Sequence, residues 1–130
     1  MKYTVLLGRI LFSLIFLMAI MGHFKSGTIQ YAASVGVPMA SFLVPFSGII
    51  AGLGAISIIL GYKAKMGAWL IILFLLPVTF MMHNFWTITD PMMMQMQMSV
   101  FFKNISMLGG ALIISYFGAG PLSLDNRKSS

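Results

Sequence analysis

The sequence predicts an all-α fold, an integral membrane four-helix bundle with both termini cytoplasmic, and three observations carry that expectation. Hydrophobic residues make up 59% of the 130 residues and charged residues 8%, where an ordinary soluble domain carries about a quarter charged. Four apolar stretches approach or exceed the roughly 20 residues needed to cross a hydrocarbon core. Basic residues also collect on alternate ends of those stretches, and the positive-inside bias turns that asymmetry into an orientation. The length fits a single transmembrane domain over residues 1–130.

The first span is expected over about 5–24, interrupted only by Arg9. Its apolar run is long and no clean small-x-small site follows, so it reads as a retained span and not as a cleaved signal peptide. Lys25-Ser26-Gly27 ends it, and the segment Thr28–Val37 is expected as an outward loop. Gly36-Val37-Pro38 opens the second span, about 39–60, because proline suits a first helical turn. Gly61-Tyr62-Lys63-Ala64-Lys65 is a short basic turn before the third span, about 66–86. Thr87 to Pro91 ends that span, Thr87–Ser99 forms a second outward loop, and the fourth span, about 100–117, stops at Gly118-Ala119-Gly120-Pro121. Lys2, Arg9, Lys63, Lys65, Arg127 and Lys128 then lie on the cytoplasmic side, with Lys25 and Lys103 on the other.

Helices in lipid associate through close packing and shared polar groups. Gly48 and Gly52 form a GxxxG pair that Ala55 extends. That ridge serves packing within one chain or between copies, so a homo-oligomer is one of the partners it suggests. Pro45 and Pro77 are expected to kink their spans.

Ionisable groups inside spans are costly and are functional candidates. Lys103 shares a helical face with Ser99, Ser106 and Gly110. It either snorkels to the outer surface or points into a ligand site, with Asn104 beside it. His83 is either a hydrogen-bonded packing residue or a ligand contact. Trp86 suits an aromatic belt or a pocket wall, and Lys25 beside His23 an interfacial anchor or a pocket group. All six belong to the outer half of the bundle. Donors and positive charge there, with no carboxylate in any span, suit a neutral or anionic oxygen-bearing ligand such as a quinone or a lipid phosphate. Arg9 and Asp125, both on the cytoplasmic side, are expected to pair as a structural ion pair that ties the tail to the first span.

Other chemistry is excluded or weak. With no cysteine, disulfides, thiolate catalysis and cysteine metal sites are out. The net charge of +6 comes from scattered residues, without the basic stripe that nucleic acid would need. Met92, Met93, Met94, Met96 and Met98 could offer soft thioether ligands to copper(I), or could pack at the interface as flexible apolar groups; the chain has 13 methionines in all. No phosphate-binding loop, nucleophile elbow or metalloprotease helix is present.

Several pieces, in their order, resemble the DoxX family: Leu6-Leu7-Gly8-Arg9-Ile10, Gly22-His23-Phe24-Lys25, Gly36-Val37-Pro38, Leu60-Gly61, His83 with Trp86, Phe102-Lys103-Asn104-Ile105, and Gly118-Ala119-Gly120 followed by Ser123-Leu124-Asp125. The resemblance implies a multi-pass bacterial inner-membrane protein, with a quinone as cofactor and a redox-enzyme partner among the family's themes. Ala51 stands where that family commonly carries a glutamate, which weakens the redox reading. The expectation is therefore a binding protein or membrane subunit more than a self-sufficient enzyme. A scaffold or assembly factor, and a small transporter or lipid-handling protein, stand as alternatives.

Overall fold

The computed structural model describes residues 2–127. Its long elements are α1 (Lys2–Gly22), α3 (Ala40–Leu60), α4 (Ala64–Met82) and α5 (Pro91–Phe117), each long and apolar enough to cross a membrane. Two shorter helices accompany them, α2 (Ser26–Ser34) and α6 (Leu124–Arg127), with a single 3-10 turn at Phe85–Thr87. Among the described residues there is no strand, and the expected all-helical membrane bundle holds. Four crossings return the chain to its starting side, so α1 begins on the same face, here the tail face, to which α6 belongs. The α3–α4 turn shares the tail face, and α2 and the 3-10 turn occupy the far face. Of the residues used to orient the chain, Lys128 lies outside the described residues.

The helices pack in the order α1 on α3, α3 on α4, and α4 on α5, while α1 and α5 meet only sparsely. The contacts are made by small residues, as lipid-solvated packing demands. Ala51, Ala55, Ala68 and Ala111 are fully buried, with Phe16, Ile58, Ile71 and Leu75 filling the spaces between them. A Cβ on Gly48 would lie 2.6 Å from His23 Cβ, and one on Gly54 would lie 2.7 Å from the Gly67 carbonyl oxygen. The glycine ridge of α3 is thus spent inside the chain, on α1 and α4. Large apolar side chains such as Leu11, Leu53, Leu73 and Ile113 face outward, toward lipid.

Two expected loops are helices. Thr28–Val37 is mostly α2, held against α3 by buried Ala32 packed with Ala40 and Val44, and Tyr31 donates to the Met82 carbonyl at 3.3 Å. Gly36, at φ +95, lets the chain turn away after it. The far-face loop of 87–99 is short, because α5 starts at Pro91 and not near Val100. Asp90 caps that helix, accepting from the Met92 amide at 3.4 Å, and proline at the first position needs no donor. The regular helix of the third span ends at Met82, while the apolar stretch continues through the 3-10 turn to Thr87, so His83 and Trp86 lie beyond the α-helix. Pro45 and Pro77 sit inside α3 and α4 without ending them.

Candidate functional site

In the half of the bundle away from the tails, a cleft of about 350 Å³ opens between α1, α4 and α5. Its apolar walls include Ile15, Met18, Phe74, Leu75, Val78, Val100 and Met107, and its polar groups include His23, His83, Lys103 and Asn104. Four of the six outer-half candidates therefore meet in one place, brought there from the end of α1, the end of α4 and one turn of α5. The sparse meeting of α1 and α5 makes the cleft a lateral one: Phe12 of α1 approaches Gly110 so closely that a Cβ there would lie 3.0 Å from the ring. One turn farther along, the two helices flank open space.

Each polar group has a defined environment. Asn104 is 6% exposed, yet its amide has no hydrogen-bond partner among the described residues. Its amide is not among the fully buried unpartnered groups, so it is reachable from the cleft whose wall it forms. His23 packs its ring 5.4 Å from that of Phe74 and directs Nδ1 to the Ala19 carbonyl at 2.8 Å. A carbonyl only accepts, so Nδ1 carries the hydrogen and Nε2 is left for another partner. His83 Nδ1 lies 2.7 Å from Gln97 Oε1, which joins the α4 end to the extended part of α5. Lys103 is exposed at the mouth, as a long stem reaching from an apolar wall toward a polar layer would be.

Lys25 and Trp86 do not line this cleft. Lys25 is exposed at the start of α2. Trp86 is 56% exposed and stacks edge-on with Phe85 and Phe101, in a far-face cluster of the aromatic-belt kind. The methionines 92–98 lie along α5, where successive side chains turn by about 100° and point to different sides. Met92, Met93 and Met96 are exposed. Among the described residues no group of three histidine, aspartate or glutamate side chains could hold a metal.

Arg9 and Asp125 form the second polar centre, on the tail face. Arg9 is 4% exposed and donates to the carbonyls of Ala119 at 3.2 Å and Leu122 at 2.5 Å. Asp125 accepts from the Lys63 and Ala64 amides at 2.7 and 2.9 Å, and its own amide donates to the Gly61 carbonyl at 2.7 Å. Each of the two residues ties the tail down through backbone groups, where an ion pair between them is the expectation from the sequence. No direct bond joins the two among the described residues. Gly61 is required here: a Cβ would meet Ser123 and lie 2.6 Å from Arg9 Nη1.

The model of the SURF4 family matches residues 1–130. The chain is 33% identical to inner membrane protein YphA of Escherichia coli over 94% of its own length and 88% of that protein. It is 31% identical to inner membrane protein YqjF of the same organism over 93% and 88%. With the yeast ER-derived vesicles protein ERV29 it shares 29% identity over 64% of this chain but 26% of that protein. No solved structure gives a significant match. The names of the two bacterial relatives agree with the multi-pass inner-membrane location expected from the sequence.

The match overturns the DoxX resemblance. The pieces that suggested it are glycines and prolines at span ends, lysines at interfaces and an arginine in the first span. Any small four-span bundle needs such features, so they do not separate one family from another. Matched along its whole length, the chain belongs to the SURF4 family.

Proposed function

We propose that this membrane protein binds an amphiphile by its polar head in the cleft between α1, α4 and α5, without transforming it. The observation that carries this reading is Asn104: a residue 6% exposed, on the cleft wall, whose amide has no partner among the described residues and is not sealed off from the cleft. An amide open to a mostly apolar cleft is free to donate and accept, and a bound head group bearing oxygen would give it a partner. Lys103 and the two histidines add donors and positive charge, and the cleft lining holds no carboxylate, which favours a neutral or anionic head over a cationic one. At about 350 Å³ the cleft suits a head group and the first part of a chain. The rest of the molecule would run out through the lateral gap into lipid.

A redox role has lost its support with the family resemblance that suggested it. The scaffold alternative is compatible with membership of a family whose named members include a vesicle protein. The two readings part on one experiment. Purified in mild detergent or native lipid particles, the wild type should carry a specific lipid or other amphiphile by mass spectrometry, and Lys103→Met and Asn104→Leu should lose it. A folded wild type that carries nothing specific, or variants that retain the molecule fully, would sink the binding reading and favour the scaffold.

A further inference from the structure

On the tail face a second groove of about 510 Å³ lies between the α3–α4 turn and the end of α5, lined by Lys63, Lys65, Met66, Phe117 and Ser123 among others. It sits where two spans leave the membrane. Met66 and Phe117 are 65% and 74% exposed and offer apolar surface on the lipid side. Lys63 and Lys65 are exposed at the groove and supply positive charge on the water side. The aliphatic stem of Lys65 lies over Gly118, whose added Cβ would be 3.3 Å from Lys65 Cε. Asp125 also lines the groove, but both of its carboxylate oxygens accept backbone amides, and Arg9 lies behind the Ala119 wall as a further positive charge.

Lys63 is the informative residue. It adopts a left-handed backbone, φ +51, where a glycine would sit with less strain. A lysine there keeps a positive charge beside the groove, its ammonium 5.6 Å from the centre of the Tyr62 ring, at the expense of an easier turn. We propose that this groove is a second binding site, for the phosphate-bearing head group of an anionic membrane lipid, with the acyl chains lying against Met66 and Phe117. Basic pockets between spans on one membrane face are suited to such heads.

The strained turn also supplies the test, because Lys63→Gly removes the charge while relieving the backbone. Delipidated protein would be titrated with phosphatidylglycerol and, separately, phosphatidylcholine, with binding read by native mass spectrometry and thermal stabilisation. Phosphatidylglycerol should bind more tightly. Lys63→Gly and Lys65→Gln should each weaken it about fivefold, the effect of one basic residue near an anionic surface, and their combination correspondingly more. The far cleft would also take an anionic head, so each titration is run in the Lys103→Met, Asn104→Leu background, which silences that cleft and leaves this groove intact. Equal affinity for the two lipids, or undiminished phosphatidylglycerol binding when Lys63→Gly and Lys65→Gln are combined in folded protein, overturns the site. Full displacement of phosphatidylglycerol by inorganic phosphate overturns the assignment to a lipid.

Discussion

At the residue scale the tail face is governed by where Arg9 and Asp125 find partners. A guanidinium inside a span is costly unless polar groups surround it. The tail brings two carbonyls to Arg9 by turning through left-handed positions at Gly118, Gly120 and Leu122. Asp125 then caps the first turn of α4, where free amides and the helix dipole favour a negative group. Asp125→Ala removes both acceptors and should cost about 1–2 kcal/mol, the usual loss for a helix cap. Asp125→Asn keeps one acceptor and should cost less. Thermal unfolding in detergent measures both, and equal stability of Asp125→Ala and wild type would show that the cap is not what holds α4 and the tail together. The sequence marks both residues as ionisable groups on the same side of the membrane. It pointed to a direct ion pair because charges are visible in a sequence, whereas the carbonyls and amides that take their place belong to every residue alike. The same limit applies to the far cleft. His23, His83, Lys103 and Asn104 could be placed in one half of the bundle from span position, but only the early end of α4 separates Trp86 from them.

At the element scale the glycines decide how closely the helices approach. Two of them make contrasting predictions. A Cβ at Gly54 would meet the Gly67 carbonyl oxygen, 2.7 Å away, which is backbone and cannot rotate aside. One at Gly52 would meet the end of the Ile20 side chain, which can. Gly54→Ala should therefore force α3 from α4 and destabilise by about 1–3 kcal/mol, as overpacking does, with Gly52→Ala clearly milder. Unfolding midpoints in detergent rank the two, and the opposite order would mean that α1, not α4, is the rigid partner of α3. The four long helices were legible because apolar length is a strong signal. The two misread loops failed for opposite reasons. In α2 the apolar positions are few, and Gly36 just past its end was the cue that a helix precedes it. At α5 the methionine run is expected in an outward loop, although Asp90-Pro91 is a cap followed by a first-turn proline, and methionine and glutamine favour helix.

At the scale of the whole molecule, the two grooves lie on opposite membrane faces, so the direction of insertion decides which leaflet each one meets. The number of spans and the shared side of the termini were readable from hydropathy alone. Orientation rests on a different quantity, the surplus of basic residues on the tail side of the sequence, with Lys2, Arg9, Lys63, Lys65 and Arg127 against Lys25 and Lys103 toward the far side. That surplus predicts a cytoplasmic tail face. The absence of cysteine allows a direct test with single introduced thiols. Thr89→Cys lies in the exposed far-face loop and Tyr62→Cys in the exposed tail-face turn, and both leave every positive charge in place. A membrane-impermeant maleimide should modify the Thr89→Cys protein in intact spheroplasts and the Tyr62→Cys protein only after lysis. The reverse pattern would invert the molecule: the Asn104 cleft would then draw from the inner leaflet, the Lys63–Lys65 groove from the outer one, and the lipids offered in each binding experiment would have to be exchanged accordingly.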